Sequence, residues 1–177
     1  MVIRDWSSDV CSSDLGDMAE LSAALEGLDL GRLRGVLHSA GTLDDAILAN
    51  QTWPKFQKLM RPKVSGTWNL HRLCRPGVSG DIRLDFFVLF SSVASLFGTA
   101  GQSNHAAANA FEDAFSHYRH ALGLPALSIQ WGGWGEIGAA AKLGANLVNF
   151  GIELFEPQKG VHVLEGALTY SALKGAR

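Results

Sequence analysis

Short apolar runs alternate along this chain with longer segments whose apolar residues recur at helical spacing. Leu21, Ala24, Leu25 and Leu28 predict a helix over Met18 to Leu28, and Leu33 to His38 reads as a short buried strand. A helix is expected from near Asp44 to about Asn50. Thr52 is a suitable N-cap for a longer one running to about Cys74, with Pro54 in its first turn and Pro62 bending it. The loop Arg75 to Arg83 leads to a second strand, Leu84 to Phe90, whose first six residues include five apolar ones. Ala107, Phe111, Ala114, Tyr118 and Leu122 give core spacing to a helix from Ser103 to Leu122, closed by Gly123 at C′. A third strand is read at Ala126 to Gln130, a Gly/Ala-rich lid from Trp131 to about Phe150, and a final helix from Pro157 to about Leu168. Strands and helices alternating through short links predict an α/β fold, a parallel sheet with helices on both faces.

The second strand is the place to look for chemistry. Its apolar run gives way to Ser91 and Ser92, and open α/β sheets bind ligands at the carboxyl ends of their strands. After a Gly-rich turn, His105 and Asn109 lie one helical turn apart and share a face. A hydroxyl at a strand end and two polar side chains on the next helix can converge on one small molecule.

The chain has 177 residues, enough for one domain with a sizeable core, and its 47% hydrophobic and 18% charged content is that of a globular protein. A formal net charge of -2 gives no argument for nucleic acid or an anionic membrane surface. No apolar run approaches the length of a membrane span. Cys11 and Cys74 offer neither metal spacing nor a disulfide framework, which fits a reducing cytoplasm. His117 and His120, without further ligands, read as a surface helix face and not as a metal site. The first fifteen residues do not match the rest. DWSSDVCSSDL (Asp5 to Leu15) has no apolar periodicity, reads as a sequencing-library adapter translated in frame, and is expected to be disordered. Residues 1–15 are therefore set apart from residues 16–177.

Several ordered segments carry a resemblance: HSAGTLDD (His38 to Asp45), RPKVSGTWNLHRL (Arg61 to Leu73), FSSVASLFGTAGQSNHAAAN (Phe90 to Asn109) and GLPALSIQWGGWGEIG (Gly123 to Gly138). From about Gly16 onward the chain resembles the ketoreductase domain of modular type I polyketide synthases, within the short-chain dehydrogenase/reductase superfamily. The resemblance implies a Rossmann-like doubly wound parallel sheet, here incomplete. The first βαβ unit with its Gly-rich phosphate loop and the last strand are expected to lie outside this chain. It further implies NADPH as cofactor and a β-ketoacyl thioester on an acyl carrier protein as substrate, with neighbouring synthase domains as partners. A chain without the phosphate loop is expected to bind NADPH poorly, and an unpaired sheet edge to favour self-association.

By position in these motifs, the resemblance gives Ser92 the role of hydrogen-bonding the ketone oxygen. It makes Lys63 and Asn109 organisers of proton transfer, and it puts His105 where the family carries its catalytic Tyr. His38, Ser39, Ala40 and Gly41, with Ser91, Trp131 and Gly132, are implied to border the cofactor. Leu43, Asp44 and Asp45 match the LDD motif of B-type members, Gln102 stands where A-type members have Trp, and Trp134 begins the lid; together these imply guidance of the acyl chain and a D-configured hydroxyl. Each residue also has an ordinary reading. The serines can satisfy backbone groups at a strand end; Lys63 can be a solvated charge; Asp44 or Asp45 can cap a helix; the tryptophans can be core.

His105 leaves two readings open. An imidazole has a reference pKa near 6.5 and can act as a general acid near neutrality, although its reach is shorter than a phenol's and an adjacent ammonium favours its neutral form. The domain is then either a reductase in which His105, or a water it orients, replaces the phenol, or a redox-inactive structural and docking element.

Overall fold

The computed structural model describes residues 14–75, 82–136 and 153–175. Three parallel strands, β1 (Gly35–His38), β2 (Phe86–Ser92) and β3 (Leu127–Trp131), pair in the order β1-β2-β3. Val36 lies opposite Phe87 and Phe90 opposite Ile129, so β2 is central and its apolar residues are buried from both faces. Helices α1 (Met18–Ala24), α2 (Trp53–Met60), α3 (Thr67–Leu73), α4 (Ala94–Phe97), α5 (Ser103–Ala121) and α6 (Pro157–Gly175) connect and cover the strands. The expected α/β class and parallel sheet are therefore present, within two residues of the predicted strand limits.

Each face of the sheet has its own cover. Phe87 and Leu89 of β2 join Val36, Leu21, Leu25, Leu70, Cys74 and Phe115 in the main core cluster. On the other face, Phe90 meets Trp131, Trp131 meets Trp134, and the Trp134 ring lies where a Cβ on Gly160 of α6 would be, 2.3 Å away. Gly160 thus lets α6 approach that ring.

The predicted long helix after Thr52 exists as three consecutive segments. α2 passes into a π-helical stretch, Arg61–Gly66, and then into α3. Pro62 has no N–H to continue the α-helical ladder, so the backbone widens there without breaking. Thr52 occupies the N-cap position, but its hydroxyl makes no capping bond.

Two expectations are corrected. Residues 41–47 form no helix; a single 3-10 turn, Leu48–Asn50, replaces the predicted one. The Asp44 carboxylate pairs with Lys55 and Lys58 of α2, the Asp44 carbonyl accepts Asn104 Nδ2–H at 2.9 Å, and Ala46 N–H bonds the Gly101 carbonyl at 2.9 Å. Those tertiary bonds hold the segment extended, which also removes the helix-capping reading of Asp44 and Asp45. The second correction is the face of α5. Ala114, Tyr118 and Leu122 are exposed, while Asn104, Ala108, Asn109, Glu112, Phe115, Ser116 and Arg119 are buried. Arg119 is accommodated by the Phe87 ring 4.0 Å below it, by His71 Nδ1 at 2.8 Å and by the Pro125 carbonyl at 3.1 Å.

Gly123, at φ +70°, ends α5 as expected, and α6 extends beyond the predicted limit to Gly175. The proposed lid over 137–150, most of the loop over 76–81 and residues 1–13 of the leader lie outside the described residues. Asp14 and Leu15 are described: Leu15 packs against the core and its carbonyl accepts Asn69 Nδ2–H at 2.9 Å. Among the described residues no helix is long and apolar enough to cross a membrane.

Phe87 is fully buried whereas Phe97 is 85% exposed. Phe87→Ala should destabilise the chain by about 3–5 kcal/mol through lost burial and the cavity left behind, and Phe97→Ala by less than about 0.5 kcal/mol. Urea unfolding of the two variants beside the parent chain measures the difference.

Candidate active site

The carboxyl ends of β1 and β2, the π-helical stretch and the first three turns of α5 enclose one polar cluster. At its base is Lys63, 6% exposed, whose Nζ donates to the Phe90 carbonyl at 2.9 Å and to Glu112 Oε2 at 2.7 Å. The solvated-charge reading of Lys63 is thereby excluded. Glu112 Oε1 lies 3.6 Å from His38 Nε2, and that nitrogen bonds the Pro62 carbonyl at 3.2 Å. The carbonyl freed by the widened helix turn therefore meets a strand-end histidine. A Cβ on Gly41 would sit 3.3 Å from Lys63 Cε, so the backbone leaving β1 passes close over the lysine stem, as a glycine there permits.

His105 and Asn109 meet directly. Asn109 Nδ2 donates to the His105 carbonyl at 2.8 Å and lies 3.2 Å from His105 Nε2. An amide N–H directed at Nε2 makes that nitrogen the acceptor and leaves the ring hydrogen on Nδ1. Nδ1 itself is buried without a partner, as are Asn109 Oδ1, Glu112 Oε1, Ser103 Oγ and Trp131 Nε1. Unpartnered buried polar atoms are rare in folded proteins, and here they gather at the α5 entrance and the neighbouring strand ends.

The serines divide their tasks. Ser91 Oγ faces α5 and donates to the Asn109 carbonyl at 3.3 Å. Ser92 Oγ accepts the Ala94 N–H at 3.1 Å, which leaves its own proton available. Asp45 accepts Gln102 Nε2–H at 2.9 Å, so the LDD segment and the residue before α5 are tied together. Ser39 and Gly41 are exposed and Ala40 and Leu43 partly so; Gly132 and Trp134 follow β3, with Phe155 against both Gly132 and Trp131. No hydrogen bond joins Ser92 to His105 or Lys63 to His105 among the described residues.

Two members of the cluster carried no flag in the sequence. Glu112 lies seven residues after His105, on the same helical face, and that spacing was the available signal. Asn104 is fully buried, holding the Asp44 carbonyl with its amide and accepting the His105 N–H at 2.9 Å. No group of His, Cys, Asp and Glu side chains among the described residues could hold a metal ion.

Burial and the Lys63 ammonium hold His38 neutral, with its pKa lowered to about 4. Burial and the nearby Lys63 also lower His105, and Asp45 opposes them. Burial pushes the Glu112 carboxyl up to about 7 against the opposing pull of Lys63. His71, buried beside Arg119, is likewise lowered to about 4.

A parallel α/β sheet with a polar cluster at its strand ends is the fold of the short-chain dehydrogenase/reductase type. The KR domain profile matches residues 4–136, and the chain belongs to the ketoreductase domain family of polyketide synthases. It is 42% identical over 161 residues to polyketide synthase GfsB of Streptomyces halstedii, covering 88% of this chain and 3% of that protein. Over 174 residues it is 40% identical to a mycocerosic acid synthase-like polyketide synthase of Mycolicibacterium smegmatis, covering 96% of this chain and 8% of the relative. Among solved structures, A-type ketoreductases from a modular polyketide synthase superpose with a TM-score of 0.81 at 40% identity, covering 89% of this chain and 33% of theirs. The first ketoreductase of the tylosin synthase gives 0.77 at 38% identity, covering 89% and 34%. The chain thus spans a small part of the synthases and about a third of the solved ketoreductase chains.

Family membership implies a nicotinamide dinucleotide in general. The unpartnered Trp131 Nε1 and the exposed backbone after β1 are compatible with such a ligand at this edge.

Folded His38 and His71 stay neutral down to about pH 4, whereas unfolded imidazoles protonate near 6.5. Between those values the unfolded chain binds more protons, so stability falls as pH drops through this window. Glu112, raised to about 7, works the other way, its share being lost as pH rises toward 7. Two imidazoles against one carboxyl make the chain less stable at about pH 5 than at about 6.5. His71→Gln should narrow that difference in urea midpoints; an undiminished gap would remove His71 as its source.

Proposed function

We propose that the chain is part of an NADPH-dependent ketoreductase domain that reduces a carrier-bound β-ketoacyl thioester to the β-hydroxyacyl thioester. The observation that carries this reading is the His105–Asn109 pair. Its ring Nδ1, buried and without a partner, is positioned on the helix that follows the Ser92 strand end. NADPH would supply the hydride when bound, and Ser39, Ala40, Gly41, Ser91, Trp131 and Gly132 with His38 beneath them are the residues proposed to border it.

The remaining work falls to side chains of this chain. Ser92 uses its free proton to hydrogen-bond the ketone oxygen. His105 presents its Nδ1 hydrogen to the same oxygen and, when cationic, gives it the proton that completes the alcohol. Asn109 fixes the ring tautomer, and Lys63 is assigned with it to organising the proton transfer. Leu43, Asp44, Asp45, Gln102 and Trp134 are assigned to guiding the acyl chain. Asp45 and Gln102, already bonded to each other, form one edge of the entrance and support B-type, D-hydroxyl delivery. The acyl carrier protein and adjoining synthase domains are the proposed partners.

A second reading has its own observation. The Lys63 ammonium is engaged by Glu112 and the Phe90 carbonyl, and the lowered His105 is a poor cation; both favour a redox-inactive, structural ketoreductase-like domain.

The test uses a chain extended to the full length of its ketoreductase relatives, a β-ketoacyl thioester surrogate and NADPH. The native domain should turn over, yield the D-hydroxyl product and lose rate as pH rises through the ring's lowered midpoint, because the acid form of the imidazole disappears. His105→Tyr should keep its rate to higher pH. No turnover by the native domain alongside turnover by His105→Tyr would establish the inactive reading, and an L-configured product would reject the B-type assignment.

A further inference from the structure

Glu112 is the one buried carboxylate in the cluster that the proposed reduction does not use. Its side chain is fully buried, one oxygen is held by Lys63 at 2.7 Å, and the other has no hydrogen-bond partner. It shares a helical face with His105 and Asn109, at steps of seven and three residues. Lys63 reaches it from the π-helical stretch and His38 from β1, and Asp113 is its neighbour on α5. α2, also packed on α5, has its Lys55 and Lys58 paired with Asp44; β2, β3 and α4 bring no charged side chain.

Packing alone gives a weak reason for this pair. A buried ion pair commonly stabilises no more than apolar residues of the same volume, because two charges must be desolvated. Glu112 does have a consequence that an apolar residue there would not. Lys63 is a cation that disfavours a charge on His105, and a carboxylate held 2.7 Å from that ammonium opposes its field.

We propose that Glu112 is a positioning residue for the reduction: it anchors the Lys63 ammonium and, by gaining or losing its own proton, sets the charge that His105 experiences. The inference rests on the reductase reading for its use, but the contact it invokes can be measured apart from turnover. When Glu112 is ionised, the pair is neutral overall and the imidazole can hold a proton more easily. When Glu112 is protonated, Lys63 acts on His105 uncompensated.

The experiment is an NMR titration of the native chain, following the His105 ring and the Glu112 carboxyl carbon. Burial raises that carboxyl to about 7, so the His105 resonance should show a second inflection there, coincident with the carboxyl's own. In Glu112→Gln, whose amide stands for the protonated carboxyl, that inflection should vanish and the ring should titrate in a single step. A single-step His105 curve in the native chain overturns the proposal, even if the variant fails to fold. So does an inflection near 7 that persists in a folded Glu112→Gln. In the full-length domain, Glu112→Gln should remove the step near 7 from the alkaline limb of kcat with KM little changed; a limb that keeps that step counts against the proposal. A native domain without turnover, but with the two-step titration, would reject the reductase reading and leave the Glu112 coupling standing.

Discussion

The buried contact between Lys63 and Glu112 is the constraint around which the described structure is arranged. Lys63 comes from the widened turn after α2, Glu112 from the middle of α5, and the Phe90 carbonyl from the centre of the sheet. One ammonium thus ties three elements at the strand ends, with the backbone at Gly41 lying across its stem. Two further features follow from its position. The π-helical stretch turns the Pro62 carbonyl toward His38, and the neutral His38 meets it. Burying a cation also demands a nearby anion, and α5 accordingly turns a carboxylate inward at a level where a helix in an α/β domain ordinarily turns aliphatic side chains.

The entrance to the cluster is fastened to the same helix. Asn104 takes the Asp44 carbonyl, Gln102 takes the Asp45 carboxylate, and the Gly101 carbonyl takes the Ala46 N–H. Asp44 is meanwhile neutralised by two lysines of α2, which keeps its carboxyl below the ordinary range through those hydrogen bonds. The loop after β1 and the start of α5 are therefore tied to each other by three hydrogen bonds. The groups proposed to guide a substrate and the group proposed to protonate it share a single rigid support, as a precise site requires.

The strands were legible because a parallel strand is apolar on both faces, and little else in the chain is. The site was legible in outline from Ser92, His105 and Asn109, through spacing and resemblance. What escaped has a common physical cause. Glu112, Arg119 and Asn104 are polar residues buried by partners that arrive from 48 to 60 positions away in sequence: Lys63, His71 and Asp44. A hydrophobic-stripe reading therefore assigned α5 the wrong inner face, through Ala114, Tyr118 and Leu122. The absent helix over 44–50 has the same explanation. Local propensity there is outweighed by ion pairs and hydrogen bonds with α2 and α5, invisible without the third dimension.

The imidazole at position 105 changes the electrostatic problem as well as the reach. A phenol is a neutral acid, and a neighbouring ammonium strengthens it by favouring the phenolate. An imidazolium is a cationic acid, and the same ammonium discourages its formation. Supplying a proton from His105 therefore calls for a protonated ring, which an ionised Glu112 would favour by offsetting Lys63. Ring protonation is favoured below its lowered midpoint, whereas Glu112 ionises only toward pH 7. The two trends oppose each other, so the relief that an ionised Glu112 offers comes where the ring is already losing its proton. Under the reductase reading, the proton supply at position 105 then depends on how closely the buried Lys63–Glu112 pair brings those two midpoints together.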